Sequence, residues 1–195
     1  MSTSIDDIKN LREITGVSMT ECKKALEEAN GDQEKAIELL RKRGMAKAVD
    51  KKEREAKEGI ITSYIHSNHK LGVLVELNCE TDFVAKNEDF IRLANDIAMQ
   101  VAATNPECIS PDEVSESLIA KEREIWTAQL AKEGKPANII DKIMEGKEKK
   151  FREEQSLLTQ NFVKNPEITI EKLISDVVGK LGENIKVKRF ARFAI

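Results

Sequence analysis

The stretch GIITSYIHSNHKLGVLVELNCETDFVAKNEDFIRLANDIAMQVA, residues 59–102, decides the fold of this chain. Two runs rich in β-branched and apolar residues, 60–65 and 71–77, flank a polar segment of about four residues, which predicts a β-hairpin. Over residues 90–102, apolar side chains then recur every three or four positions, the spacing of an amphipathic helix. The stretch therefore predicts two antiparallel strands followed by a helix of several turns.

The C-terminal part of the chain adds a helix and a strand. Residues 170–181 repeat the helical spacing of apolar side chains, and Gly182 is suited to end that helix. In residues 184–195, Ile185 and Val187 alternate with polar residues as in a strand, and the alternation then becomes irregular, which predicts a β-bulge. Residues 157–165 show no clear pattern and are expected to be irregular.

Residues 1–44 predict three short helices. In the first, apolar residues recur every three positions from 5 to 14. Ser18 and Glu21 have the spacing of a capping box at the start of the second helix, and Gly44 is suited to end the third. Because about 44 residues bury only a small core, we expect a compact three-helix module here, followed by a charged helical linker at 45–58.

Residues 112–155 predict a projecting pair of charged helices. The sequence 110–113, SPDE, is a helix-start signature, and Gly134-Lys135-Pro136 interrupts the helical pattern. Helices joined by so short a connection usually lie antiparallel. The thin apolar stripe of the first helix would face that of the second: Ile119, Trp126 and Leu130 against Ile139, Ile143 and Met144.

The composition narrows the class of function. Charged residues make up 34% of the 195 residues, but the net charge is only −3, so the chain lacks the cationic excess of a general nucleic-acid binder. No apolar run is long enough to span a membrane, and the N-terminus resembles neither a secretory signal nor a transit peptide. Cys22, Cys79 and Cys108 are far apart and form no C-x-x-C pair, which favours a reducing, cytoplasmic compartment. We expect no membrane contact and no direct nucleic-acid partner.

The sequence also lacks the motifs of the common catalytic sites. It contains no phosphate-binding loop, dinucleotide fingerprint, H-E-x-x-H or G-x-S-x-G. His66 and His69 are too few for most metal sites. Cys79 lies beside a carboxylate, which raises the pKa of a thiol, and it has no evident base. We therefore expect no catalytic residue, no metal site and no cofactor, in a protein that is not an enzyme.

The segment Thr81-Asp82-Phe83-Val84 stands between a predicted strand and a predicted helix. Thr81 can cap the helix that follows, and Asp82 suits its positive N-terminus. Phe83 then occupies the corner between loop and helix. There it either packs inward, the commoner arrangement, or is exposed as an anchor for a pocket on a partner. The sequence physics leaves both arrangements open.

Two motifs give the chain a resemblance to a known family. Residues 12–31, REITGVSMTECKKALEEANG, resemble the N-terminal signature of the elongation factor Ts family, and residues 77–87, LNCETDFVAKN, resemble its second signature. With the flanking patterns, the resemblance covers essentially all of the chain. It implies an α+β fold: a UBA-like three-helix module at 1–44, the linker at 45–58, and a core at 59–195. That core would hold a small three-stranded antiparallel sheet flanked by helices, with the helical hairpin 112–155 projecting from it.

The resemblance also implies a function. Elongation factor Ts is the guanine-nucleotide exchange factor that binds elongation factor Tu in its GDP-bound and nucleotide-free forms, promotes GDP release and is later displaced by GTP. By similarity, Phe83 inserts into the G domain of Tu and disturbs the region that holds Mg²⁺ and the phosphates, together with Thr81, Asp82 and Val84. The implied docking contacts of the module and linker are Gly16, Val17, Met19, Lys23 and Lys51.

Three further possibilities stay open. Short members of the family can form homodimers through the core, so we expect a dimer, with a single-core monomer as the alternative. One alternative function is a UBA-type adaptor that uses residues 1–44 alone, for which the segment 81–84 would be dispensable. Another is an RNA-binding translation accessory that uses residues 47–57 and 186–192, whose RNA affinity would depend steeply on salt.

Overall fold

The computed structural model describes residues 4–51, 53–132 and 137–195. The helices are α1 (Ile5–Thr15), α2 (Met19–Glu28), α3 (Gln33–Lys51), α4 (Asp82–Ala85), α5 (Glu88–Thr104), α6 (Glu116–Lys132), α7 (Ala137–Gln155) and α8 (Ile170–Leu181). The strands are β1 (Glu58–Ile65), β2 (Leu71–Cys79), β3 (Asn161–Phe162), β4 (Asn165–Thr169) and β5 (Lys186–Ala194). Short 3₁₀ turns lie at Pro111–Glu113 and Leu157–Thr159. This mixture of helices and an antiparallel sheet confirms the α+β prediction.

A three-stranded antiparallel sheet with the order β1-β2-β5 forms the centre of the core. The predicted hairpin pairs β1 with β2, so that Ile60 lies opposite Leu77. In the pairing of β2 with β5, Glu76 lies opposite Arg189 but the next residue of β2 lies opposite Val187. Lys188 is therefore an extra residue in β5, which confirms the bulge that the irregular alternation predicted.

One face of this sheet is covered by α5, and α8 packs against α5. Because side chains alternate along a strand, β2 directs Val73, Val75, Leu77 and Cys79 to the same side, where all four are buried. They belong to one hydrophobic core together with the apolar stripes of the two helices. The stripes comprise Phe90, Leu93, Ile97 and Val101 of α5 and Ile170, Ile174 and Val178 of α8.

Residues 157–165 are ordered, contrary to the prediction that they are irregular. They contain a 3₁₀ turn and the strand β3, which pairs with β4 in a small antiparallel hairpin. The fully buried Gln100 of α5 holds this hairpin: its amide donates to the carbonyl of Asn161 at 3.1 Å, and its oxygen accepts from the amide of Val163 at 2.9 Å. Because these hydrogen bonds come from a distant helix, residues 157–165 show no strand or helix periodicity in their own sequence.

The helices α1, α2 and α3 pack around a small core of their own, as a UBA-like module requires. The side chain of Ser18 accepts from the amide of Glu21 at the start of α2. In α1, Ile8 and Leu11 are buried but Ile5 and Ile14 are exposed. A strict three-residue repeat turns by about −60° per step around a helix with 3.6 residues per turn, so the two ends of the run leave the buried face.

The prediction that Gly44 ends the third helix was wrong, because α3 continues to Lys51. Residues 45–51 of the expected linker are thus part of this helix. Gly44 instead lies against Gly179 of α8, at a point where the two helix backbones touch. The missing side chain serves a helix–helix contact and not a helix end.

The helices α6 and α7 form the predicted antiparallel pair. The Trp126 ring packs edge-on against Phe151, with 5.8 Å between centroids, and Arg152 pairs with Glu148 of its own helix and Glu116 of the other. The helix α6 begins at Glu116, later than the signature at 110–113 indicated. The predicted interruption at 134–136 and the side chain of Ile139 lie outside the described residues.

The reason for the later start of α6 is a local turn. The carboxylate of Glu113 accepts from the amide of Ile109 and the hydroxyl of Ser110, both at 3.1 Å. These bonds close the 3₁₀ turn Pro111–Glu113 instead of continuing an α-helix. Ile119, Trp126 and Leu130 are nevertheless buried, as the apolar stripe predicted.

Candidate partner-binding site

The four-residue helix α4 makes the corner between β2 and α5. Thr81 is its N-cap, and the Thr81 hydroxyl accepts a hydrogen bond from the amide of Val84 at 3.4 Å. Asn87 then caps the start of α5 by accepting from the amide of Asp89 at 2.9 Å. Each cap satisfies backbone donors that a helix start would otherwise leave unpaired. The predicted capping role of Thr81 is thereby confirmed.

Phe83 is the exposed residue of this corner. Its side chain is 82% exposed, whereas Ala85 is buried and Val84 packs against the core. Of the two arrangements that the sequence left open, the structure has the exposed one. Burying such a side chain is worth about 2 kcal/mol, so an exposed Phe on a capped corner is available to a pocket on another molecule.

Asp82 keeps its charge beside this ring. Its carboxylate pairs with Lys86 one turn later, at 2.7 Å. The hydrogen bond from the Lys86 ammonium holds the pKa of Asp82 below its ordinary value. The corner thus presents a large aromatic ring next to an ionised carboxylate.

Glu183 forms hydrogen bonds with the residues that lead into α4. One carboxylate oxygen accepts from the amides of Glu80 at 3.2 Å and Thr81 at 3.0 Å. The other accepts from the Thr81 hydroxyl at 2.7 Å. Glu183 follows Gly182, which ends α8 in the left-handed conformation with φ +83°. A carboxylate from the C-terminal end of the chain therefore holds the residue that caps α4.

Cys79, at the end of β2, is a buried neutral thiol. Burial, followed by the charge of Glu183, raises its pKa to about 11. Its S–H donates to the carbonyl of Thr81 at 3.1 Å. A thiol with so high a pKa forms little thiolate near neutral pH and is a poor nucleophile, in agreement with the sequence-based expectation for this residue.

The four residues of the module that the resemblance implies as docking contacts lie at the corner between α1 and α2 and along α2. Gly16 ends α1 with φ +66°, and Val17 packs against the module core. Met19 is 37% exposed, and the exposed Lys23 is 3.8 Å from Glu27 on the same helix. Lys180 of α8 crosses directly over Gly16, so this corner also adjoins the core.

Lys51 lies elsewhere, in the last turn of α3. Its ammonium donates to the carbonyl of Gly182 at the C-terminal end of α8. A cation at that end of a helix is favourable because the last carbonyls carry partial negative charge. The structure therefore brings Lys51 to the loop that holds the corner with Phe83, and not to the group formed by Gly16, Val17, Met19 and Lys23.

The described ranges 4–51, 53–132 and 137–195 contain no group of three or more His, Cys, Asp or Glu side chains placed to hold a metal ion. No helix within them is long and apolar enough to cross a lipid bilayer.

Comparison with known proteins decides the family. The sequence model described as "Elongation factor TS" matches residues 3–195. The chain belongs to the elongation factor Ts family. Among its relatives, "Elongation factor Ts" of Thermodesulfovibrio yellowstonii is 55% identical over 195 residues, covering 100% of this chain and 97% of that protein. "Elongation factor Ts" of Carboxydothermus hydrogenoformans is 53% identical over 188 residues, 96% of this chain and 87% of that protein.

A third relative agrees with these two. "Elongation factor Ts" of Thermosipho melanesiensis is 56% identical over 188 residues, which is 96% of each chain. The similarity to these three relatives therefore extends over the module, the sheet and the helical hairpin of this chain. The family comprises translation elongation factors that act as nucleotide exchange factors and are not known to catalyse bond chemistry.

Glu183 is the residue of this elongation factor Ts corner that the sequence reasoning missed. Sequence patterns identify residues by their neighbours along the chain, and Glu183 is about a hundred residues away from Thr81. The signal that could have found it is its position directly after Gly182. A glycine often ends a helix in the left-handed conformation, and in this structure the residue that follows it, Glu183, reaches the end of β2.

Proposed function

We propose that this chain is the guanine-nucleotide exchange factor of elongation factor Tu and that the corner 81–84 is its working part. The observation that carries the proposal is the exposed Phe83 beside the ionised Asp82, on a capped corner, in a chain of the elongation factor Ts family. Phe83 inserts into the G domain of Tu, and Asp82 makes polar contacts beside it.

The physical reason for exchange is the sensitivity of the bound Mg²⁺. In a G domain, the nucleotide is held by backbone donors, a Lys side chain and Mg²⁺. Because Mg²⁺ demands near-ideal octahedral geometry, displacing the segments that support it weakens nucleotide binding. By linkage, nucleotide weakens the binding of the exchange factor by the same factor. GTP therefore enters the vacated site and later displaces the factor.

Docking is the second part of the proposal. The corner with Gly16, Val17 and Met19, together with the exposed Lys23 on α2, contacts the G domain. The partly exposed Met19 and the nearby exposed Ile14 offer apolar contact area. These contacts determine where Tu binds, and the corner with Phe83 then acts on the nucleotide site.

The test is the release of a fluorescent GDP analogue from Tu in a stopped-flow instrument. We expect the release rate to rise with the concentration of this chain and to reach a plateau. The acceleration should shrink when EDTA removes Mg²⁺, since the chain then has less nucleotide affinity left to disturb. Binding to Tu without any acceleration of release would contradict the proposal and favour the UBA-type adaptor.

The RNA-binding alternative has its own measurement. If the basic residues of the segments 47–57 and 186–192 formed an RNA site, the affinity for RNA would fall steeply between low and moderate salt. We expect no such dependence at the concentrations at which the chain acts on Tu. RNA binding of that kind, with GDP release unchanged, would replace the exchange proposal.

We further propose that the chain forms a homodimer through the outer face of the three-stranded sheet. Side chains on this face point away from α5, and four apolar ones are exposed: Ile61 (68%), Ile65 (59%), Leu74 (47%) and Phe193 (67%). A monomer rarely leaves a contiguous apolar face open to water. The second copy is the occupant that the family resemblance implies. Glu76 and Arg189 lie at the centre of this face and form an ion pair with each other at 2.6 Å, so neither needs a charged partner from the second copy.

A further inference from the structure

The loop that follows α8 joins the end of α3, the segment before β1 and the corner with Phe83. Three consecutive residues of this loop each contact a different partner. The carbonyl of Gly182 accepts from Lys51 at the end of α3, and the carboxylate of Glu183 holds Thr81. Asn184, which is 3% exposed, donates from its side-chain amide to the carbonyl of Arg54 at 2.7 Å.

Hydrogen bonds run in both directions between the loop after α8 and the residues that precede Phe83. The amide of Asn184 donates to the carboxylate of Glu80 at 2.7 Å, while the amides of Glu80 and Thr81 donate to Glu183. Arg54 also lies 3.6 Å from the carboxylate of Glu80. Two segments that are about a hundred residues apart in the chain are thus fastened by hydrogen bonds that involve carboxylates, which are stronger than neutral ones.

The geometry points to Glu183 as the positioning residue for Phe83. The inference rests on the proposed function. Phe83 is 82% exposed, so its own side chain has few contacts that could set its direction. The direction depends on the backbone of the corner, and that backbone begins at Thr81. The Thr81 hydroxyl donates to Glu183 and accepts from the amide of Val84, so one side chain fixes both the cap and the start of α4.

A fixed corner matters because inserting a side chain into a partner is costly when a loop must first be ordered. An ordered corner avoids that entropy loss on binding, and small misplacements of a working group reduce rates strongly. Lys51 contacts the same loop through Gly182. We therefore expect that a change of Lys51, which the resemblance implies as a docking contact, also disturbs this loop.

The first measurement uses the free chain and does not depend on Tu. Glu183→Ala should raise the hydrogen-exchange rates of the Glu80 and Thr81 amides roughly tenfold, the effect of losing a hydrogen bond to a charged group. The control is Glu167→Ala, since Glu167 is exposed on β4 and does not touch the corner. Unchanged protection of both amides in the Glu183 variant would overturn the inference.

The second measurement is the plateau rate of GDP release at saturating concentrations of the chain. Glu183→Ala should lower this rate roughly tenfold while the association rate with Tu stays within about twofold of the unchanged chain. The combined change Phe83→Ala and Glu183→Ala should be no slower than Phe83→Ala alone, because Glu183 acts only through that ring. Additive losses, or a plateau unaffected by Glu183→Ala, would overturn the inference.

A conservative variant keeps the test valid if Glu183→Ala fails to fold. Glu183→Gln retains one oxygen that can accept from both amides, so its plateau rate should lie between those of the unchanged chain and Glu183→Ala. A Glu183→Gln protein that folds and keeps full protection but loses exchange as completely as Phe83→Ala would contradict the positioning role. If Phe83→Ala itself has no effect on release, the proposed function fails and not only the role of Glu183.

Discussion

Gly44 of α3 and Gly179 of α8 meet backbone to backbone: a Cβ atom added to Gly179 would lie 3.1 Å from the Cα of Gly44. A Cβ atom on Gly44 would find its nearest neighbour at 3.7 Å, an ordinary contact distance. The contact lies between the three-helix module and the core, and a methyl group would fit at an ordinary distance on Gly44 but would be a few tenths of an ångström too close on Gly179.

This asymmetry predicts opposite effects of the same substitution. Gly179→Ala should lower the free energy of unfolding by about 1–3 kcal/mol, because two backbones would have to separate. Gly44→Ala should be neutral or stabilising by up to about 1 kcal/mol, since Ala is the better helix former. The measurement is urea unfolding, with Gly146→Ala on the exposed face of α7 as the control for helix propensity. Equal losses for Gly179→Ala and Gly44→Ala would contradict the contact described.

Replacing Gln100 should destabilise the β3–β4 hairpin locally. Gln100→Leu would remove the acceptor of the Val163 amide and the donor to the carbonyl of Asn161. Leaving such groups unpaired costs about 1–3 kcal/mol, and the β3–β4 hairpin should lose amide protection before the rest of the core. Gln129→Leu on the exposed face of α6 is the matched control. A hairpin that keeps its protection in the Gln100 variant would show that the buried amide does not hold it.

The thiol of Cys79 predicts a loss of stability at alkaline pH. The folded protein raises its pKa from 9.0 to about 11, so between these values the unfolded chain releases the proton more readily than the folded one. The stabilising contribution is therefore complete below pH 9 and is lost as the pH rises toward 11. The difference in free energy of unfolding between the unchanged chain and Cys79→Ala should shrink over that interval. A difference that stays constant from pH 8 to 11 would be evidence against a neutral buried thiol.

The outer face of the sheet predicts the oligomeric state. Sedimentation velocity at micromolar concentration should detect a species of twice the 21.9 kDa chain mass. Phe193→Glu should convert it to monomer, because a charge would replace an exposed ring at the proposed contact. Ile125→Glu, at a 49% exposed position of the helical hairpin, should leave the dimer intact. Only a 21.9 kDa species for the unchanged chain would reject the homodimer.

The sequence correctly predicted the elements that are determined by residues close to them in the chain. The alternation in β2, the helical spacing in α5 and the cap at Thr81 depend on neighbours in the chain, and the structure has all three. The features that were missed depend on distant partners. In the sequence, Gly44 looks like a residue that ends a helix, and only its contact with Gly179 of α8 explains why it does not. The residues of β3 show no strand pattern, because their position depends on hydrogen bonds to Gln100 of α5. The exposure of Phe83 could not be decided from sequence physics because the corner allows both directions of its side chain.

The most direct test of the central claim compares GDP release and Tu binding for Phe83→Ala. In stopped-flow experiments with a fluorescent GDP analogue, the plateau rate of release from Tu should fall by an order of magnitude or more. Association of the variant with Tu, measured separately, should change much less, because the docking corner at Gly16, Val17 and Met19 is intact. A Phe83→Ala protein that releases GDP as fast as the unchanged chain would contradict the claim that this ring drives exchange.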